Sequence, residues 1–290
     1  MSWRTVVVSS SAKLDLQLGY LVVRKQDVVK IHLSEIYMVI IESTAVSLTA
    51  ALLCELMKRK IKVIFCDEKR NPCFEMIPYY GSHDSSSKIK KQISWSDEIK
   101  QEVWTEIVKE KIFNQEMLLK RLGLKEYNLL KQYRENVISG DATNREGHAA
   151  KVYFNALFGK QFTRDAENSI NAALNYGYSI ILSAFNREIV ANGYLTQLAL
   201  FHDNIFNSFN LASDMMEPFR PLVDDIVYHL NPQKFEHDEK IKLVSLIQDK
   251  VSINGRSETV GNAIKIYTKS VFDALNDENP LIIKWFRHEL

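Results

Sequence analysis

The character of the sequence changes once along the chain, and this change limits the folds available to it. The first eighty or so residues contain short runs rich in valine and isoleucine, such as TVVVSS, YLVVRK and IYMVIIES. Runs of this length, bounded by serine, glycine and aspartate, are typical of β-strands. One segment, SLTAALLCELMKRK, instead repeats its apolar residues at helical spacing. We therefore predict a small N-terminal sheet or sandwich that carries one helix.

Helical periodicity dominates the rest of the chain. The predicted helices lie near 95–121, 124–139, 144–158, 168–191, 194–201, 211–230, 238–252, 257–275 and 280–289. Before them, YYGSHDSSSKIKKQIS is polar, rich in serine and without a hydrophobic period, which favours a linker. The expected fold class is α+β. We expect an N-terminal β-sandwich-like domain over 1–83, a linker over 84–94, and a larger all-α C-terminal domain over 95–290.

Composition excludes several classes of protein. The net charge is +1, so nucleic-acid binding would have to rest on local basic patches such as KRKIK and KIKK. These patches are more often solvated surface. The N-terminus lacks the apolar stretch of a signal peptide, and the most apolar segments are too short to span a bilayer. Three cysteines, an odd number with no closely spaced pair, indicate a reducing compartment. We expect a cytoplasmic protein with no membrane segment.

A first candidate for chemistry is Glu146 in the segment SGDATNREGHAAK. Thr143 and Glu146 have the spacing of a capping box, in which the glutamate side chain returns to the backbone at the start of a helix. On the residues alone this structural interpretation is favoured over a metal-binding carboxylate. His148, two residues further on, would lie on a different face of the helix.

A second candidate is the segment FHDNIFNSFNLASDMMEPFRPLVDDIV. Asp214 and Glu217 are three residues apart, so both carboxylates would lie on one face of a helix. Arg220 is three residues beyond Glu217 and offers a simple surface ion pair. His202 precedes them by a loop rich in asparagine. Taken singly, each of these residues is a weak signal.

Two prolines, Pro218 and Pro221, follow these acids directly. A proline inside a helix removes a backbone hydrogen bond and costs about 3 kcal/mol, so two of them are unexpected in a purely supportive helix. Local conflict of this kind is expected at functional sites.

The donor types suggest which metal such a group would select. Carboxylate oxygens with one imidazole and no thiolate favour Mg²⁺ or Mn²⁺ over structural zinc. The chain contains no phosphate-binding glycine loop and no convincing context for a serine or cysteine nucleophile. A metal-assisted attack on phosphorus is therefore the enzymatic hypothesis that the residues leave open.

Three sequence blocks resemble a known family. REGHAAKVYF, ALNYGYSIILSAFNREIVANGY and LFHDNIFNSFNLASDMMEPFRPLVD are similar to signature blocks of the CRISPR-associated integrase, CRISPR-associated protein one. This family supplies the catalytic subunit of the spacer-acquisition complex. The phrases NYGYSIILSAFNREI and SDMMEPFRP resemble its type II-A branch. The resemblance extends over essentially the whole chain, including SSSAKLDL and VIFCDEKRNP.

The resemblance implies a site and a set of partners. The family's metal-binding triad falls on Glu146, His202 and Glu217, with Asp214 at a supporting acidic position beside Arg220. It implies a DNA integrase and endonuclease that uses Mg²⁺ or Mn²⁺ to join the 3′-hydroxyl ends of captured DNA fragments into the leader-repeat of a CRISPR array. It implies an N-terminal domain that mediates homodimerisation.

The implied partners extend beyond DNA. Two such dimers would hold one dimer of a small ferredoxin-like adaptation subunit, giving a heterohexamer. A ring-forming DNA-end-binding protein and the RNA-guided effector nuclease would be linked to it. Two alternatives stay open: a structure-specific metal-dependent nuclease that cleaves rather than joins, and a non-catalytic DNA-binding scaffold.

Overall fold

The computed structural model describes residues 2–79 and 81–288. Residues 2–79 form two four-stranded sheets with one helix, α1 (Ala50–Lys58). The strands are β1 (Arg4–Val8), β2 (Ala12–Gln17), β3 (Tyr20–Arg24), β4 (Val28–His32), β5 (Ile36–Ile41), β6 (Val46–Leu48), β7 (Lys62–Cys66) and β8 (Pro72–Glu75). One sheet has the order β1–β5–β7–β8, and the other has the order β4–β3–β2–β6. The predicted N-terminal sheets with one helix are confirmed.

Strand β5 explains how the sheets join the rest of the molecule. All six of its residues are buried, and alternate side chains of a strand point to opposite faces of a sheet. Val39 and Ile41 pack into the N-terminal core with α1. Met38 and Ile40 pack into the core of the helical region. This sheet is therefore a layer shared by two hydrophobic cores.

The segment expected to be a polar linker is helical. Helix α2 (Ser85–Ile93) occupies most of residues 84–94, and its Gln92 is buried. The amide of Gln92 donates to the carbonyls of Leu195 and Leu198 and accepts from the Leu195 N–H. The polar composition indicated an exposed linker. It did not show that the Gln92 side chain is buried, because its hydrogen-bond partners are backbone groups more than a hundred residues away.

The helical region has a long central helix, α3. The helices are α3 (Asp97–Arg121), α4 (Tyr127–Glu135), α5 (Arg145–Phe158), α6 (Ser169–Ala191), α7 (Asn210–Met215), α8 (Arg220–Leu230), α9 (His237–Ser245) and α10 (Val260–Asn276). Single 3₁₀ turns lie at Leu33–Glu35, Ser139–Asp141, Glu217–Phe219, Leu246–Gln248 and Pro280–Ile282. The mostly helical C-terminal region confirms the α+β class. No helix within the described ranges is long and apolar enough to cross a membrane.

Some of the predicted helices were wrong in part or entirely. Residues 194–201 are irregular. Parts of three others, predicted at 238–252, 257–275 and 280–289, instead form a three-stranded sheet of β9 (Lys250–Ile253), β10 (Arg256–Thr259) and β11 (Phe286–His288), in the order β10–β9–β11. Asn254 and Gly255 join β9 to β10 with φ of 54° and 71°. Asn-Gly is the strongest short hairpin signal, and it overrides the helical pattern here.

Candidate metal centre

Glu146 lies in the first turn of α5, where other residues cap the helix. The side chain of Asn144 accepts from the Gly147 N–H at 3.1 Å, and Asn144 itself has a left-handed backbone with φ of 50°. The buried carboxylate of Asp141 accepts from the N–H groups of Arg145 and Glu146, at 2.8 and 3.0 Å. The capping box of Thr143 with Glu146 is therefore wrong. The Glu146 carboxylate is left to interact outside its own helix.

The partner of Glu146 is Lys111, which the sequence did not single out. The Lys111 ammonium lies 2.5 Å from Glu146 Oε1 and 2.5 Å from Glu217 Oε2. Burial alone would lower the pKa of Lys111, but Glu217 and Glu146 outweigh burial and raise it. A signal for this residue exists in the sequence. Lys111 falls four residues after Ile107, on the mostly apolar buried stripe of α3.

Glu217 lies in a break between two helices. It begins the 3₁₀ turn between α7 and α8, and its side chain is 5% exposed. Arg220 Nε lies 2.9 Å from Glu217 Oε1, so the expected ion pair is present. Burial alone would raise the pKa of Glu217, but Arg220 and Lys111 hold it below its ordinary value. The carboxylate is therefore ionised at neutral pH.

The two prolines break no helix. Pro218 lies in the first positions of the 3₁₀ turn, and Pro221 lies in the first turn of α8. The N–H groups of a first turn have no partner within the helix, so proline costs little there. Asp214 belongs to α7, before the break. The expectation that Asp214 and Glu217 share one face of a continuous helix is therefore wrong.

Asp214 organises the segment that carries His202. Its fully buried carboxylate accepts from the N–H groups of Leu200 and Phe201, both at 2.8 Å, and of His202 at 3.3 Å. It also contacts His202 Nδ1. This bond raises the pKa of His202, and Asp214, Glu217 and Glu146 add to the rise through their charges. A carboxylate on one ring nitrogen fixes the imidazole and leaves Nε2 for another partner.

A buried group behind Arg220 supports the site from the core. The guanidinium of Arg220 lies over the ring of Tyr178, with 4.6 Å between its central carbon and the ring centroid. The hydroxyls of Tyr178 and Tyr153 both donate to the carboxylate of Asp224. Burial raises the pKa of Asp224 to about 6. Sequence analysis missed this group because only tertiary contacts unite it.

The structure thus brings Glu146 and Glu217 to one cationic group, with His202 within their electric field. Across residues 2–79 and 81–288, no three His, Cys, Asp or Glu side chains lie close enough together to hold a metal ion. The donor set of two carboxylates and an imidazole suits a hard divalent cation. Because the Lys111 ammonium lies between the carboxylates, one ion shared by both requires that ammonium to move.

Comparison with known proteins places the chain in a family. A family model described as CRISPR associated protein Cas1 matches residues 5–246. The chain belongs to the Cas1 family. It is 35% identical to the CRISPR-associated endonuclease Cas1 of Neisseria meningitidis serogroup C, over 98% of this chain and 96% of that protein. It is accordingly a Cas1 integrase and endonuclease of CRISPR adaptation, as the sequence blocks implied, and the family is one of metal-dependent nucleases.

Solved structures share the fold. A casposase bound to its integration product matches with a TM-score of 0.77 and 18% identity, over 96% of this chain and 92% of that chain. A chain of a Cas6-RT-Cas1–Cas2 complex matches with a TM-score of 0.74 and 18% identity, over 97% of this chain and 36% of that longer chain. The arrangement of N-terminal sheets and a helical C-terminal region is therefore that of Cas1 structures.

Proposed function

We propose that Glu146, His202 and Glu217 are the metal-binding catalytic residues of this Cas1 protein and that they bind Mg²⁺ or Mn²⁺. The observation that carries the proposal is the convergence of Glu146 and Glu217, from different helices, on the single ammonium of Lys111. A bound ion would act as a Lewis acid on the attacked phosphoryl group. Two carboxylates facing one point are what such an ion needs.

The remaining residues hold this group in place. Asp214 fixes the imidazole of His202 through Nδ1, which leaves Nε2 directed away from that bond. Arg220 holds Glu217 through Oε1 and is itself stacked on Tyr178. Lys111 balances the two carboxylates when no ion lies between them. After it moves, its ammonium is a donor for a phosphate oxygen in the same site.

The reaction we propose is transesterification. The 3′-hydroxyl oxygen of a captured DNA fragment attacks a phosphodiester of the leader-repeat in line with the leaving oxygen, so one P–O bond forms as another breaks. The proton of the attacking hydroxyl leaves, and the 3′-oxygen of the cut strand takes one up. No external energy source is needed. With water as the attacking group, the same site would act as a structure-specific nuclease.

The partners are proposed on the same basis. A Cas6-RT-Cas1–Cas2 complex and a Cas1–DNA complex are among the structural neighbours. We infer that this chain binds DNA, forms homodimers through its N-terminal domain, and assembles with a ferredoxin-like companion. The ring-forming DNA-end-binding protein and the RNA-guided effector nuclease remain further expected partners. The type II-A branch rests on the blocks NYGYSIILSAFNREI and SDMMEPFRP. A cytosolic location rests on the cysteine count.

The test measures two things in each variant: the joining of a labelled DNA fragment to its target, and the binding of a metal ion. Glu146→Gln, His202→Ala and Glu217→Gln are expected to lower the joining of a labelled fragment by about 10³-fold, since the lost ion accounts for several kcal/mol of transition-state stabilisation. Their affinity for DNA should stay within a few fold, because it is spread over many phosphate contacts. The matched control is Glu135→Gln, whose side chain is 56% exposed.

Electron paramagnetic resonance of added Mn²⁺ gives a second measurement. We expect one tight Mn²⁺ site in the wild type and in the Glu135 variant, and weaker binding in the three site variants. Joining should stop in EDTA and return with Mg²⁺ or Mn²⁺. Wild-type joining by the Glu217 variant, or joining that EDTA does not affect, would show that these residues do not hold a catalytic metal.

A further inference from the structure

Two adjacent apolar side chains beside His202 are almost fully exposed. Ile205 is 86% exposed and Phe206 is 90% exposed. They lie in the turn between His202 and α7. Asp214, which belongs to α7, accepts a hydrogen bond from the His202 N–H across this turn. Exposed apolar side chains placed together at the edge of a functional site mark a contact surface. We call Ile205 and Phe206 the apolar tip.

The turn that carries the apolar tip is held by asparagine side chains. Asn204 Oδ1 accepts from the Phe206 N–H at 2.9 Å, and the Asn204 carbonyl accepts from the side chain of Asn210 at 2.9 Å. Asn207 Oδ1 accepts from the Phe209 N–H at 2.9 Å. Asparagine side chains that bond to backbone two residues on stabilise tight turns. The apolar tip is therefore presented by an ordered turn.

The chain segment around the apolar tip contains no basic side chain that could pair with phosphate. No lysine or arginine occurs from residue 188 to residue 219, and Asp203 adds a negative charge. On the other side of His202, the ring of Phe201 stacks on buried Trp104, with centroids 4.6 Å apart and planes 5° apart. Phe201 is also 54% exposed. Apolar side chains thus flank His202 on both sides along the chain, and such side chains suit contact with bases rather than with phosphates.

The apolar tip is also close to the proposed attack point. Consecutive Cα atoms are about 3.8 Å apart, so the Phe206 Cα lies within about 15 Å of the His202 Cα. Nucleotides of one DNA strand rise by about 3.4 Å each, so this reach covers about four of them. Bases beside the attacked phosphodiester therefore fall within reach of these two side chains.

We propose that the apolar tip, Ile205 and Phe206, inserts between bases of the target duplex and unstacks the step next to the attacked phosphodiester. Apolar side chains that enter a base step kink the duplex and open its backbone. In this Cas1 protein the insertion would turn the phosphodiester towards Glu146 and Glu217. The inference rests on the proposed function, because it takes the attack point from that site.

The test uses 2-aminopurine, whose fluorescence rises when it is unstacked, at the step next to the attack point. Full-length protein should raise the fluorescence several-fold, and the Ile205→Ser/Phe206→Ser variant should not. On an intact duplex the variant should join fragments about 10- to 100-fold more slowly. On a target with a mismatch at that step it should recover to within about 3-fold of wild type, because the mismatch already supplies the unstacking.

Controls separate this inference from a folding defect and from a failure of the metal site. Leu281→Ser, at a side chain that is 89% exposed and remote in the chain, should behave as wild type. Phe206→Trp should keep joining and fluorescence. Glu217→Gln should keep the fluorescence rise while losing joining, so a defect in the metal site leaves the fluorescence result intact.

Two results would overturn the proposal. One is wild-type joining on an intact duplex by the double variant. The other is an equal loss on intact and mismatched targets without a fluorescence difference, which would assign the apolar tip to docking of a protein partner.

Discussion

Two buried lysines, each bound to carboxylate, differ in how many acids they face. Lys62 on β7 lies 2.5 Å from Glu75 on β8, and their side chains are 3% and 7% exposed. Asn186 on α6 donates to the same glutamate oxygen at 2.9 Å. Burial lowers the pKa of Lys62 even though Glu75 opposes it. At Lys111, two glutamates reverse the balance and the pKa rises.

The number of acids distinguishes the structural ion pair at Lys62 from the site at Lys111, which can bind a second cation. Lys62 and Glu75 balance each other at the junction of sheet and helix, so neither has unused charge. Lys111 faces both Glu146 and Glu217, with His202 nearby. Two carboxylates that converge on one point offer a divalent ion the oxygen ligands it needs, whereas the single carboxylate of Glu75 does not. Burial and distance are similar at the two lysines, and the number of glutamates that each lysine contacts distinguishes them.

The largest expected effect is at the balanced pair. Lys62→Met leaves Glu75 buried without its cation, so we expect the free energy of unfolding to fall by about 3–5 kcal/mol. Chemical denaturation measures this, with exposed Lys30→Met as the control. Added Mn²⁺ should not restore the lost stability. Restoration by Mn²⁺ would mean that Glu75 also accepts a metal ion, and the contrast between the two lysines would fail.

Another buried acid, Asp224, holds its proton to a higher pH than an ordinary aspartate does. Burial raises its pKa from 3.8 to about 6, against the two tyrosine hydroxyls that donate to it. Between these values the folded state binds more protons than the unfolded state, so this group's contribution to stability is lost as pH rises from about 4 to about 6. The loss is about 3 kcal/mol.

Asp224→Asn removes this pH dependence. The difference in unfolding free energy, variant minus wild type, should therefore increase by about 2.4 kcal/mol between pH 4 and pH 7. Urea denaturation at several pH values gives this difference, and all other titrating groups cancel in it. A difference that does not vary with pH would mean that Asp224 is already ionised at pH 4 in the folded protein.

The next effect is at Lys111 itself. Lys111→Met removes the ammonium between Glu146 and Glu217, so we expect Mn²⁺ to bind about 10-fold more tightly, equivalent to about 1.4 kcal/mol. At 100 times the dissociation constant, Mn²⁺ should add about 2.7 kcal/mol to the stability of this variant. Thermal shifts and Mn²⁺ resonance measure both quantities. In the double variant with Glu217→Gln, both effects should disappear. Weaker Mn²⁺ binding without Lys111 would show that the ammonium supports the ion instead of competing with it.

The sequence predicted the fold class because strands and helices have different apolar periods, and both periods are clear. It failed at two kinds of place. Tertiary hydrogen bonds of Gln92 accompany a polar segment that is helical and partly buried. The local turn of Asn254 with Gly255 makes a hairpin where the apolar pattern is helical. At the site, the resemblance supplied Glu146, His202 and Glu217. Lys111 was missed because its partners come from two other elements, although its position on a buried stripe was visible.

The smallest effect tests whether the segment before His202 depends on the former linker. Gln92→Leu removes three hydrogen bonds to the backbone of residues 195 and 198, which should lower the unfolding free energy by about 1–2 kcal/mol. The loss should be local, with faster amide exchange at Leu195. Because this segment leads directly to His202, Mn²⁺ should bind about 2- to 3-fold more weakly, which is less than 1 kcal/mol.

Gln132→Leu, on the exposed side of α4, is the control. Amide exchange around the ion pair of Lys62 with Glu75 should not change in either variant. Equal exchange at Leu195 in the two variants would show that Gln92 does not hold this segment, and that the geometry of His202 is set by Asp214 alone.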